Sequence, residues 1–137
     1  MIIFNDLFNI TESLDKSAES WVSNTIQEEN LKEGNINYIF CDDAYLLDKN
    51  IKYLKHNTLT DIISFDYTMG KLISGDIFIS VERVKENAIT FKTAFKDELH
   101  RVMIHGVLHY CGYKDKTDAD KKLMRSKEDY YLSLRDF

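Results

Sequence analysis

The residues best suited to chemistry stand close together near the C-terminus, in the run His105-Gly-Val-Leu-His109-Tyr-Cys-Gly112-Tyr-Lys-Asp115. On an α-helix, residues four apart differ by about 40° in azimuth and about 6 Å in height, so His105 and His109 share one face. Two imidazoles so placed can reach one zinc ion at Zn–N distances of about 2.0–2.1 Å. Asp115 would lie about 120° around from His109 if the helix ran on, too far to join them. Gly112 removes that obstacle, because glycine accepts the left-handed conformation that ends a helix and turns the chain back. Three protein ligands leave a fourth position for water, the arrangement of catalytic rather than structural zinc sites. Cys111, about 200° from His109 on the helix, reads as a core residue.

The spacing resembles the long zincin signature HExxHxxGxxH, with one departure. Gly106 stands where those peptidases carry the glutamate that serves as general base. The expected site is therefore hydrolytic, without the usual proton acceptor of a metallopeptidase.

Elements must carry these side chains to one point. The segment from Phe95 to Cys111 reads as a helix ending near Gly112, and Thr117 opens another, with Asp120 completing a capping box. Upstream, Leu14 to Asn30 shows apolar residues at helical spacing, with Ser13 as N-cap and Gly34 after its end. A further helix is expected from Asp43 to about Tyr53, and another capped by Ser80. Ile2–Phe4, Ile36–Cys41, Asp61–Phe65 and Leu72–Ser80 read as strands, and Met69-Gly70-Lys71 as a turn. Four strands and about five helices in mixed order imply an α+β fold, with a mixed sheet and helices packed on it. No repeat or linker divides residues 1–137, so one domain is expected.

Composition narrows the class. Of 137 residues, 44% are hydrophobic and 30% charged, as in soluble globular proteins. No apolar run approaches the ~20 residues that span a bilayer, and the N-terminus lacks a basic signal-peptide region. The cytoplasm is the expected location, with no membrane association. Cys41 and Cys111 lack any CxxC spacing and read as reduced core residues. The net charge of −5 does not favour nucleic-acid binding, so any RNA contact needs a local basic patch.

Three ordered segments carry a family resemblance. HGVLHYCGY (105–113) resembles the HGxLHxxGYDH hallmark of the YbeY endoribonucleases, Thr60–Phe65 resembles their TDVLSF strand, and Gly75–Ser80 their GDIxIS strand. The helix KKLMRSKEDYYL (121–132) is also similar, so the resemblance runs from about Ile36 to the C-terminus. It implies a zinc-dependent, single-strand-specific endoribonuclease acting in 3′-end maturation of small-subunit ribosomal RNA and in ribosome quality control. The implied partners are single-stranded rRNA and the ribosome or its small subunit. Carried over by position, His105 and His109 are the first two zinc ligands, and Asp115 stands where the third histidine falls. One Zn²⁺ per chain is expected.

Two departures bear on catalysis. The family commonly has an arginine after a tyrosine shortly before TDVLSF; here Tyr53 is followed by Leu54, and Lys55 is the nearest cation. Lys55 is accordingly the candidate catalytic cation, a point charge rather than a bidentate fork. Lys49, Lys52, Lys71, Arg83 and Arg101 are further phosphate-binding candidates, with Tyr53, Phe65 and Tyr67 as stacking rings. A zinc-dependent peptidase and a non-catalytic, metal-stabilised ribosome-binding module use the same ligands. Gly106 counts against the first, and Leu54 makes room for the second.

Overall fold

The β-branched and aromatic segments form four strands, β1 (Ile2–Asp6), β2 (Lys32–Cys41), β3 (Ile62–Asp66) and β4 (Leu72–Ser80). The computed structural model describes residues 1–7 and 14–137. The strands form one sheet in the order β1-β2-β4-β3. β1, β2 and β4 run parallel, and β3 pairs antiparallel with β4 along one edge. Alternation divides the sheet into two faces. Ile36, Tyr38, Phe40, Ile77 and Ile79 are completely buried on one of them. There they meet α1 (Lys16–Glu28), α3 (Val81–Thr90), α4 (Phe95–Tyr110) and α5 (Asp118–Ser133) in the main core. On the opposite face α2 (Asp43–Lys49) covers a smaller core of Cys41, Leu46 and Ile63, flanked by Phe65 and Phe78. The α+β, four-stranded architecture expected from the sequence is the one observed.

Several local expectations hold for the reasons that motivated them. Ser80 accepts from the Arg83 amide at the start of α3, and Thr117 and Asp120 form the capping box of α5. The start of α1 differs: Asp15 is its N-cap, accepting from Ala18 at 3.0 Å, and Ser13 lies outside the described residues. Its end differs too. Asn30, with φ of 61°, takes the left-handed turn, since a short polar side chain tolerates that conformation. Gly34 instead sits within β2, where a Cβ would stand 2.5 Å from the Ile73 carbonyl oxygen of β4. The helix expected to reach Tyr53 stays α-helical only to Lys49 and then widens into a π-helical turn, Asn50–Leu54. The buried Asn50 donates from its side chain to the Thr58 carbonyl, tying that turn to the following loop.

The helix that matters most is α4. Its middle is completely buried at Leu99, Met103, Ile104, Val107 and Leu108, each contributing roughly 1.5–3 kcal/mol of transfer free energy. The Tyr38 hydroxyl donates to the Met103 carbonyl at 2.9 Å, and the Tyr110 hydroxyl to the Phe65 carbonyl at 3.0 Å. Gly75 makes room for Tyr110: a Cβ there would lie 2.4 Å from its hydroxyl oxygen. Gly106 serves the same close packing one turn earlier. A Cβ added to it would meet the Ile62 and Ile77 methyls at 3.0 and 3.1 Å. The position that bears glutamate in zincins is thus pressed against the sheet.

Candidate metal centre and substrate cleft

Backbone geometry after α4 delivers Asp115. Gly112 adopts φ of 103°, its amide donates to the His109 carbonyl at 3.0 Å, and the Tyr113 amide returns to the Leu108 carbonyl at 3.1 Å. The chain thereby reverses as Gly112 implied. The Tyr113 hydroxyl then donates to Glu29 at the end of α1, 2.6 Å away, and Thr117 caps α5. Glu29 also accepts from Tyr131 and Lys127; although burial opposes its charge, these partners hold its pKa below the usual carboxylate value.

So positioned, the three candidate ligands form a nearly equilateral triangle. His105 Nε2 and His109 Nε2 are 3.1 Å apart, and each lies 3.3 Å from Asp115 Oδ2. Ligands at 2.0–2.1 Å from a tetrahedral centre are separated by about 3.3–3.4 Å, so the donor set fits a divalent ion. His105, His109 and Asp115 are the group of metal-competent side chains among the described residues. Cys111 stays outside it, its thiol pushed up to about 12 by burial, an environment that opposes the thiolate a metal requires.

Glu128, on α5, is the functional residue missed in the sequence. Its Oε2 lies 2.6 Å from His105 Nδ1, and its Oε1 accepts from Arg101 at 2.9 Å. With Nδ1–H donated to Glu128, His105 keeps its Nε2 lone pair toward the metal position. A signal was present: Met124, Glu128 and Tyr131 share the i, i+4, i+7 spacing of a buried stripe, where a charge needs a partner. Burial disfavours the charged form of His105, but the Glu128 hydrogen bond and the nearby acidic groups outweigh it and raise its pKa. A metal ion must therefore displace a proton held more firmly than usual.

The triad opens into a cleft of about 550 Å³ whose walls include Asp61, Ser64, Glu98, Arg101 and Arg125. Burial raises the carboxyl pKa of Asp61, with the His105 charge opposing the shift, and likewise that of Glu98, with Arg101 opposing. Arg101 spans Glu128 and Asp129, at 2.9 and 2.7 Å. Arg125 has an exposed side chain, and its recorded acidic partner is Glu128 at 3.8 Å, beyond hydrogen-bond reach. Four carboxylates thus face two guanidiniums around the cleft.

The remaining candidates lie elsewhere. Lys55 is exposed, with φ of 57°, at the end of the π-helical turn, and it does not line the cleft. Arg83 pairs with Asp43 at 2.8 Å, and Lys71 is exposed in the β3–β4 turn. Lys49, Tyr53, Phe65 and Tyr67 gather in a separate recess on the other side of β3. No helix among the described residues is long and apolar enough to cross a membrane.

The family model described as Endoribonuclease YbeY matches residues 3–135. Proteins named Endoribonuclease YbeY from Flavobacterium psychrophilum and Flavobacterium johnsoniae are 62% and 57% identical over 134 residues, covering 98% of this chain and 96% of each relative. The solution structure of a Thermotoga maritima protein superposes with a TM-score of 0.74 at 25% identity, over 97% of this chain and 87% of the other.

Proposed function

The chain belongs to the YbeY endoribonuclease family, and from that premise we propose that it is a zinc-dependent endoribonuclease for single-stranded RNA. Its place is 3′-end maturation of small-subunit ribosomal RNA in the cytoplasm, in association with the ribosome. The observation that carries the reading is the triangle of donors, 3.1–3.3 Å on a side, at the wall of a cleft that also holds Arg125. When bound, a divalent ion at His105, His109 and Asp115 supplies Lewis acidity toward a phosphodiester.

The chain's own residues do the rest. Glu128 fixes the ring of His105, and Arg101 holds Glu128 in place. Arg125, free of a close acidic partner, turns its guanidinium to the phosphate and takes the role that the family arginine cannot play here, where Leu54 stands. Asp61, one of two cleft carboxyls whose pKa burial raises, is suited to exchange a proton. Because carboxylates outnumber guanidiniums around the cleft, it admits a phosphodiester best when a divalent cation balances the charge. A zincin-type glutamate at position 106 would have to push aside the Ile62 and Ile77 methyls, which speaks against a peptidase.

Elemental analysis of untagged protein tests the centre: one zinc per chain is expected. Asp115→Ala should weaken zinc binding at least 10-fold and Asp115→His should restore it, with loss of RNA cleavage tracking loss of metal. Metal-loaded protein that cuts peptides but no single-stranded RNA would overturn the assignment.

A further inference from the structure

Ser64 and Phe65 are neighbours on β3, yet they point to opposite faces of the sheet, as alternation requires. Ser64 borders the metal cleft. Phe65 opens into the second recess, about 300 Å³ in volume, with Lys49, Tyr53, Tyr67 and Phe78 around it. This recess lies on the α2 side of the sheet, and β3 is the edge strand between the two cavities.

Its walls are unusual for a surface. Tyr53 and Tyr67 are 52% and 59% exposed. Tyr53 meets Phe65 edge-on at 5.8 Å, and Phe65 meets Phe78 edge-on at 5.9 Å, so the rings brace one another at steep angles. The Lys49 ammonium lies 5.1 Å from the Tyr53 ring centre and 5.5 Å from that of Phe78, and Lys52 also approaches Tyr53, at 5.6 Å. Asp76, the acid in the recess, already accepts from Asn37 at 3.0 Å. Half-exposed aromatic rings with two ammonium groups at Tyr53 match both halves of a nucleotide, since rings stack on bases once a mobile lysine swings aside and cations meet phosphates.

We propose that this recess is a nucleobase subsite for single-stranded RNA. The same strand that places a phosphodiester in the metal cleft crosses the edge of β3 and stacks a base, a few nucleotides away, against Tyr53 and Tyr67. The proposal rests on the ribonuclease reading above and extends it to recognition. It also explains how a chain with a net charge of −5 holds RNA: part of the affinity comes from stacking, which does not depend on a basic surplus. Stacking tolerates any base, so the subsite would favour unpaired strands over particular sequences.

Fluorescence anisotropy with a labelled, cleavage-resistant 2′-O-methyl oligoribonucleotide and the zinc-loaded full chain tests it. Tyr53→Ala should weaken binding roughly 10-fold, Tyr53→Phe should preserve it, and Lys49→Ala should weaken it and flatten its salt dependence. An oligonucleotide abasic at successive positions should lose the difference between wild type and Tyr53→Ala at the position that occupies the recess. In cleavage assays Tyr53→Ala should raise KM and leave kcat near wild type. Unchanged affinity in Tyr53→Ala and Tyr67→Ala, with wild-type RNA cleavage intact, overturns the subsite while sparing the ribonuclease reading. Equal weakening on intact and abasic oligonucleotides also overturns it, as does a change of oligomeric state in Tyr53→Ala without loss of RNA affinity. Wild type that neither binds nor cleaves single-stranded RNA overturns both.

Discussion

The two sides of β3 are built by opposite means. On the Ser64 side, polar groups are held by polar groups: Arg101 fixes Glu128, Glu128 fixes His105, and three donor atoms converge to within 3.3 Å. On the Phe65 side, rings are held by rings, and Tyr53 and Tyr67 remain more than half exposed. The first arrangement suits one geometry and could hold one ion. The second gives a surface that accepts any flat, apolar partner. One strand, through its two-residue period, keeps precision and tolerance a single residue apart.

That contrast can be broken by substitutions that should act on one side alone. The largest expected effect is from Glu128→Gln, which weakens the acceptor for His105 and leaves Arg101 with a poorer partner. Metal affinity should fall about 10- to 100-fold, read by competition with a chromogenic chelator. Binding of an inert oligonucleotide at saturating zinc should not change, and a parallel loss there would mean that the sides are not separable. Next is Arg125→Ala, for which kcat/KM on single-stranded RNA should drop about 10-fold or more, with full zinc content and partial recovery in Arg125→Lys. Wild-type kinetics in Arg125→Ala would remove this residue from phosphate binding. The smallest concerns Glu98, whose carboxyl pKa burial raises above its ordinary 4.5. Ionisation therefore opposes folding: the cost is absent below the unfolded pKa and complete above the folded one. Glu98→Gln in metal-free protein should raise Tm by about 1–3 °C at pH 7–8, and the gain should fade as pH falls through the carboxyl range. A gain independent of pH would locate the effect in packing instead.

Legibility in the sequence followed the range of the interactions. The helix caps at Ser80 and Thr117, the reversal at Gly112 and the His105–His109 face are set by residues within a few positions, and each was readable. Asp115 was readable for the same reason, since a turn of known geometry separates it from His109. The partner of His105 was not, because Glu128 comes from another helix and only tertiary packing brings it to Nδ1. Lys55 is a candidate only through its proximity in sequence to a missing arginine. The π-helical turn leaves it outside the cleft, while α5 supplies Arg125. The rings are candidates because single-stranded RNA needs aromatic partners, but their common recess depends on pairing β3 with β4, which places Phe65 near Phe78.

The hydrogen bond from Tyr113 to Glu29 has a further consequence. The five residues from Cys111 to Asp115, beyond the end of α4, would otherwise be held back only by the Gly112 and Tyr113 amides, and closing the rest around an ion would cost chain entropy at the moment of binding. Anchored to the end of α1, the loop has met much of that cost during folding, so Asp115 would join an ion held by His105 and His109 at a high effective concentration. The thermodynamic counterpart is reciprocal. Each increment of ion affinity gained by the clamp returns as resistance of α1 to fraying when the ion is bound, and a helix that supplies no ligand becomes a stakeholder in coordination.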